Sequence, residues 1–292
     1  MPGLSDLDRL LMPGGSADAS DLAAVRPAAA QLPPQVVGFL RKKGAKIVVC
    51  RGSITDHAKE LQGVLPRGWP AGMTWDIVPG VYLPNRKQVV VATLPAPGGR
   101  RLPERGEGHG SFNLLLHESM HGHDFLKNHK LLGASKFVAA RAADFARLGS
   151  YEQQAGDAGA QETYAESAAR AFGKDATLGA SWPQLAAFWA LLDPGQLQLA
   201  PVDIAEAPAR RRIKSRRDTP VGSAEIGQDG TIHLDLRADA RDGAIGHALV
   251  SIAPADRRYG AIAGHLTGAP QGLLPQALAP TSHGPVVVLP FG

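Results

Sequence analysis

Residues 114–124 read LLLHESMHGHD. Three leucines ahead of this polar run predict a helix anchored in a core just before its first histidine. At 3.6 residues per turn, His117 and His121 project from one face about one turn apart, the separation at which two imidazoles share one tetrahedral Zn²⁺. Glu118 lies beside that face, where a carboxylate takes a proton from a water that the metal has acidified to a pKa of roughly 7. This is the pattern of a zinc-peptidase helix, and it requires a third ligand. Ser111 or Asn113 is placed to cap the helix.

The third ligand is sought downstream. Residues 159–172 carry QETYAESAARAF and stop at Gly173, which predicts a second helix able to pack antiparallel to the first. Glu162 and Glu166 stand four apart on one face of it. One of them completes a two-His, one-Glu site with a fourth position open to water; the other accepts the outer N–H of a ligand imidazole. Spacing alone does not say which does which.

Taken together, HESMHGHD, then Ser150-Tyr151, then ETYAESAARAF, with RGWPAGMTWDIVPGVYLPNRKQVVVAT upstream, resembles the anthrax lethal factor-like metallopeptidases, which include the Pro-Pro endopeptidases. That family reads HExxHxxD, a tyrosine, and then ExxAE, and the resemblance runs from about Gln35 to Leu192. It implies His117, His121 and Glu162 as zinc ligands, Glu118 as the base, and Tyr151 as the phenol that steadies the oxyanion. It further implies Glu166 as the partner of His117, Asp124 as a second supporting carboxylate, and a bacterial toxin or effector. Some positions depart from the pattern. The insert EQQAGDAGAQ after Tyr151 is long, and Tyr164 is the other tyrosine of this helix pair. Met120 stands where a small residue is usual, and His123, two past His121, is predicted to face away from the metal. His109, in GEGHGS, either faces the cleft or is an ordinary loop histidine.

Around this array we read an α+β chain: a mainly helical zincin-type catalytic domain with a small N-terminal sheet over residues 35–199, a basic linker at 200–220, and a small strand-rich α+β accessory domain at 221–292. The expected sheet comes from KIVVC, TWDIVPGVYL and KQVVVAT, the last two joined at Pro84-Asn85. The Pro- and Gly-rich loop from Leu94 to Gly110 is placed to wall a substrate cleft. Ala134 to Leu148 predicts a helix with Phe137, Val138, Ala142, Phe145 and Leu148 on its stripe, and SWPQLAAFWALLDPG a closing helix capped by Ser181 and ended at Pro194. Residues 1–34, rich in Ala, Pro, Gly and Asp, predict a flexible leader. Residues 35–199 are expected to fold alone. In the C-terminal part, Ile232, Leu234 and Leu236 alternate on one strand face, and His233, His247, His265 and His283 show no ligand spacing and read as structural.

Composition narrows the field. With 292 residues, 44% of them hydrophobic, the chain can bury a sizeable core. Its net charge of +4 is local, because six basic residues lie in RRRIKSRR at Arg210–Arg217 with no aromatic among them, so a base-stacking nucleic-acid surface is not supported. The single cysteine, Cys50, excludes an internal disulfide framework and reads as a buried strand thiol. Neither a secretory signal nor a membrane span is visible. The reading is a zinc metalloendopeptidase acting on a protein or peptide substrate. The alternative from a different class is a non-catalytic, zinc-organised binding protein acting through residues 221–292, which would dock a partner or a secretion apparatus.

Overall fold

The computed structural model describes residues 5–154, 156–191, 220–240, 242–267 and 286–291. Its strands are β1 (Leu11–Pro13), β2 (Lys46–Arg51), β3 (Gly80–Leu83), β4 (Gln88–Ala96), β5 (Gly99–Arg101), β6 (Gly222–Ile226), β7 (Ile232–Asp239), β8 (Ile245–Ile252) and β9 (Val286–Val288). Its helices are α1 (Asp6–Leu10), α2 (Ala19–Ala29), α3 (Pro34–Lys42), α4 (Leu114–Leu126), α5 (Ser135–Asp144), α6 (Asp157–Phe172), α7 (Leu178–Ser181), α8 (Pro183–Leu191) and α9 (Tyr259–Thr267). Among the described residues no helix is long and apolar enough to cross a membrane.

The strands form one mixed sheet in the order β1-β2-β4-β3-β8-β7-β6-β9, with β5 pairing the end of β4. Val48, Val49 and Cys50 of β2 and Val89, Val90 and Val91 of β4 are buried on both faces, as a parallel pair requires. β3 turns back on β4 through Pro84–Arg86, and its other edge receives β8 with Val81 opposite Gly246 and Tyr82 opposite Ile245. One apolar cluster lies on the face carrying α2, α4, α6 and α8; the other packs Trp69, Met73 and Trp75 against Leu234, Leu236, Ile252 and Ile262.

Four expectations are corrected. Residues 5–34 are not a flexible leader. Capping boxes at Ser5 and Asp18 start α1 and α2, β1 pairs in parallel with β2, and Leu10 and Val25 are core residues. The signal is weak because α2 packs mainly alanines, which give little amphipathic contrast. The C-terminal strands do not form a module apart. β8 continues the N-terminal sheet, and Val221, Ala224 and Val288 share a core with Trp69. Of the stripe expected on α5, only Phe137 and Leu148 are buried, while Val138 and Phe145 are exposed. Ser181 ends α7 rather than capping the closing helix, and its hydroxyl accepts from Arg170. The basic run at 210–217, Pro194 and His283 lie outside the described residues.

Candidate active site

α4 is the axis of the site. Asn113 Oδ1 accepts the Leu116 N–H at 3.1 Å and caps it, and Leu114, Leu115 and Leu116 are buried. The helix lies so close to β3 that a Cβ at Gly80 would come within 2.7 Å of Leu114 Cδ1 and 2.9 Å of Glu118 Cγ. Glycine at this position lets Glu118 sit against the sheet.

The second carboxylate helix, α6, packs on α4 and brings Glu162 to both histidines. His117 Nε2 and His121 Nε2 are 3.0 Å apart, and Glu162 Oε2 lies 3.3 Å from each. Tetrahedral ligands at about 2.0–2.1 Å from a metal stand about 3.3 Å from one another, so this triangle of donors fits one cation. Glu162 Oε2 makes no hydrogen bond although it is buried, which the same cation would explain. These three side chains form a group able to hold a metal ion. Burial alone would raise the Glu162 carboxyl, but the charges of His121 and Arg237 beside it hold it well below the usual range, so it is a carboxylate.

Around this triangle the other predicted residues fall at different distances. Glu166 Oε2 meets His117 Nδ1 at 3.2 Å, and its Oε1 accepts the Phe112 N–H at 2.9 Å. Glu118 is fully buried, with no hydrogen-bond partner for either oxygen, and burial pushes its carboxyl up to about 8. A cation in the triangle would lower it again by direct attraction. Tyr151, in the turn before α6, is buried with an unpartnered hydroxyl and lines a cavity of about 300 Å³ beside His117. Tyr164 belongs elsewhere: its hydroxyl pairs with His123 Nδ1 at 2.8 Å, and its ring packs on Phe137 and Trp189. Asp124 Oδ2 bonds His129 Nδ1 at 2.6 Å, in the loop after α4, and its other oxygen is unbonded. His109 is buried, held by Ser111 Oγ at 2.9 Å and the Pro103 carbonyl at 3.1 Å.

Sequence reasoning missed three contributions from β7 and β8. Arg237 is buried and binds Glu162 Oε1. His247, read as structural, has its ring centroid 5.0 Å from that of His117 and its Nδ1 3.8 Å from Glu118 Oε1. Its Nε2 accepts the Gly110 N–H at 3.2 Å, which assigns the ring proton to Nδ1. Burial, then His117, hold this imidazole neutral. Asp235 lines the cavity with Tyr151 and Glu152, and burial followed by the Glu152 charge raises its carboxyl. The signal was present in TIHLDLR. With Ile232, Leu234 and Leu236 on one face, Asp235 and Arg237 must share the other. An alternating strand ordinarily turns that face to water; here His233 stays exposed, but Arg237 is buried against Glu162 and Gln161 of α6.

Two imidazoles and a carboxylate around one point, with a second glutamate one residue past the first imidazole, form a His-Glu-x-x-His group able to hold a metal ion on an α+β scaffold. Residues 5–167 match the family described as anthrax toxin lethal factor, N- and C-terminal domain, and the chain belongs to this family of lethal factor-like metallopeptidases. Among curated relatives, a Pro-Pro endopeptidase of Paenibacillus alvei is 36% identical over 138 residues, 46% of this chain and 59% of the relative. One of Clostridioides difficile is 28% identical over 144 residues, 48% of this chain and 61% of the relative. The chain thus spans about three fifths of the length of these curated relatives. The solved structure of the Pro-Pro endopeptidase PPEP-2 from Paenibacillus alvei aligns over 65% of this chain and 100% of its own, at 32% identity and a TM-score of 0.52.

Proposed function

We propose that this chain is a zinc-dependent metalloendopeptidase in which His117, His121 and Glu162 hold Zn²⁺. The observation that carries the reading is the triangle of His117 Nε2, His121 Nε2 and Glu162 Oε2, with edges of 3.0 and 3.3 Å, beside a Glu118 whose oxygens are unpartnered. When bound, the zinc supplies Lewis acidity, acidifying water and polarising a carbonyl. Glu118 takes the proton of the attacking water on a carboxylate oxygen and passes it to the leaving amine. Tyr151 Oη–H donates to the oxygen that becomes negative, in a buried setting where such a bond is strong. Glu166 Oε2 accepts from His117 Nδ1 and so turns Nε2 toward the metal.

The relatives are named for Pro-Pro bonds, so peptides with a Pro-Pro pair are the first substrates to try. The family also supports a role as a toxin or effector. The test is metal analysis of the purified chain and digestion of a peptide library, Pro-Pro members included. Glu118→Gln should keep stoichiometric zinc and lose cleavage by several orders of magnitude; equal cleavage by both would sink the mechanism. One observation favours the non-catalytic reading. His117, His121 and Glu162 are at most 5% exposed and Glu118 is fully covered, so an extended peptide must displace something to enter. Stoichiometric zinc with no Glu118-dependent cleavage would decide for that reading.

A further inference from the structure

β7 carries a buried guanidinium to the outer side of Glu162. Arg237 is 6% exposed, and each of its three nitrogens has an acceptor: Nη1 on Glu162 Oε1, Nη2 on Gln161 Oε1 at 3.0 Å, and Nε on Asp239 Oδ1 at 2.9 Å. Its backbone is equally fixed. The Arg237 N–H donates to the Val221 carbonyl at 2.8 Å, and its carbonyl accepts from Trp69 Nε1 at 2.8 Å. Burying a guanidinium costs several kcal/mol by order of magnitude unless its partners repay it. A well-packed apolar residue would serve stability as well.

The geometry points to a positioning role: we propose that Arg237 holds the outer oxygen of Glu162 so that Oε2 alone is presented to the metal between His117 and His121. This rests on the metal-centre reading above. Glu162 has two equivalent oxygens and can rotate about its last bond, so a site built on it alone would sample one-oxygen and two-oxygen ligation. Arg237 removes that freedom. It engages Oε1, and Oε2 is left without a hydrogen bond, 3.3 Å from both imidazole nitrogens. Lysine cannot replace this fork, because a single ammonium on a flexible stem reaches one acceptor where the planar guanidinium fixes three. Arg237 lies beyond residues 5–167, so this support for the metal comes from outside the stretch that matches the family.

The test uses the full chain, with zinc affinity from chelator competition and the visible spectrum of the cobalt-substituted protein as readouts independent of activity. Arg237→Met should weaken zinc by roughly 10- to 100-fold, the range for outer residues that orient ligands, and should change the cobalt bands. Arg237→Lys should fall between Arg237→Met and the parent. In a Glu162→Gln background, Arg237→Met should add nothing, because the residue through which it acts has already been altered. Zinc affinity and cobalt bands unchanged in Arg237→Met would overturn the proposal, as would tighter zinc, which would make Arg237 a competitor for Glu162. A full additional loss in the Glu162→Gln background would also overturn it. If Arg237→Met does not fold, Arg237→Lys decides: weaker zinc with altered cobalt bands at an unchanged Tm supports positioning, and parent-like binding rejects it. A parent chain that binds no zinc would instead overturn the metal-centre reading.

Discussion

Two tyrosines, one in the turn before α6 and one on α6, sit in different surroundings. Tyr151 is buried with a hydroxyl that has no partner, beside the cavity and with its ring centroid 5.6 Å from that of His247. Tyr164 spends its hydroxyl on His123. If the Tyr151 phenol donates to charge that exists only in the transition state, Tyr151→Phe should lower kcat by roughly 10²- to 10³-fold with KM and zinc content nearly unchanged. Tyr164→Phe should cost stability by about 1 kcal/mol, because it leaves His123 Nδ1 unpaired in the core, with no selective loss of kcat. Steady-state kinetics and thermal melts on the two variants separate these outcomes, and the reverse pattern would reassign the oxyanion donor.

The second helix, α2, shows how an element is pinned by one side chain. Asp21 of α2 is fully buried; its Oδ1 accepts from Thr93 Oγ1 at 2.5 Å and Arg100 Nε at 3.0 Å, and its Oδ2 from Arg51 Nη2 at 2.7 Å. Burial alone would raise this carboxyl, but the bonds from Thr93 and Arg51 hold it below the ordinary range. A depressed folded-state pKa means stability that is present above the unfolded value, about 4, and lost as pH falls through the folded value. Asp21→Asn should therefore lower stability at pH 7 by about 1–3 kcal/mol, and the gap between parent and variant should narrow below about pH 4. Denaturant titrations across that range check it; a gap independent of pH would show that the charge is not what pins α2.

At the scale of the whole molecule, the sheet joins parts that the sequence reading had separated. Gly246 of β8 lies against β3 so closely that a Cβ there would stand 2.6 Å from the Gly80 carbonyl. A fragment of residues 35–199 strips β1 from β2, β8 from β3, and Leu234, Leu236 and Ile252 from Trp69 and Trp75. Each fully buried aliphatic side chain contributes about 1.5–3 kcal/mol, against a total stability of roughly 5–15 kcal/mol. That fragment should aggregate or melt without a cooperative transition and bind zinc weakly, and a soluble fragment with parent-like zinc affinity would restore the modular picture.

What the sequence by itself determined is the part of the site that lies on α4 and α6. His117, Glu118, His121, Glu162 and Glu166 are legible because a helix sets the direction of side chains three and four residues apart through its own local hydrogen bonds. The apolar runs that became β2, β3, β4, β7 and β8 were legible for the same local reason. Only the tertiary structure decided which strands lie side by side. The pairing of β3 with β8 joins residues more than 160 positions apart, through backbone bonds that carry no residue code. That pairing brings His247 to Glu118 and Arg237 to Glu162, burying one polar side chain of β7 against α6 instead of leaving it in water.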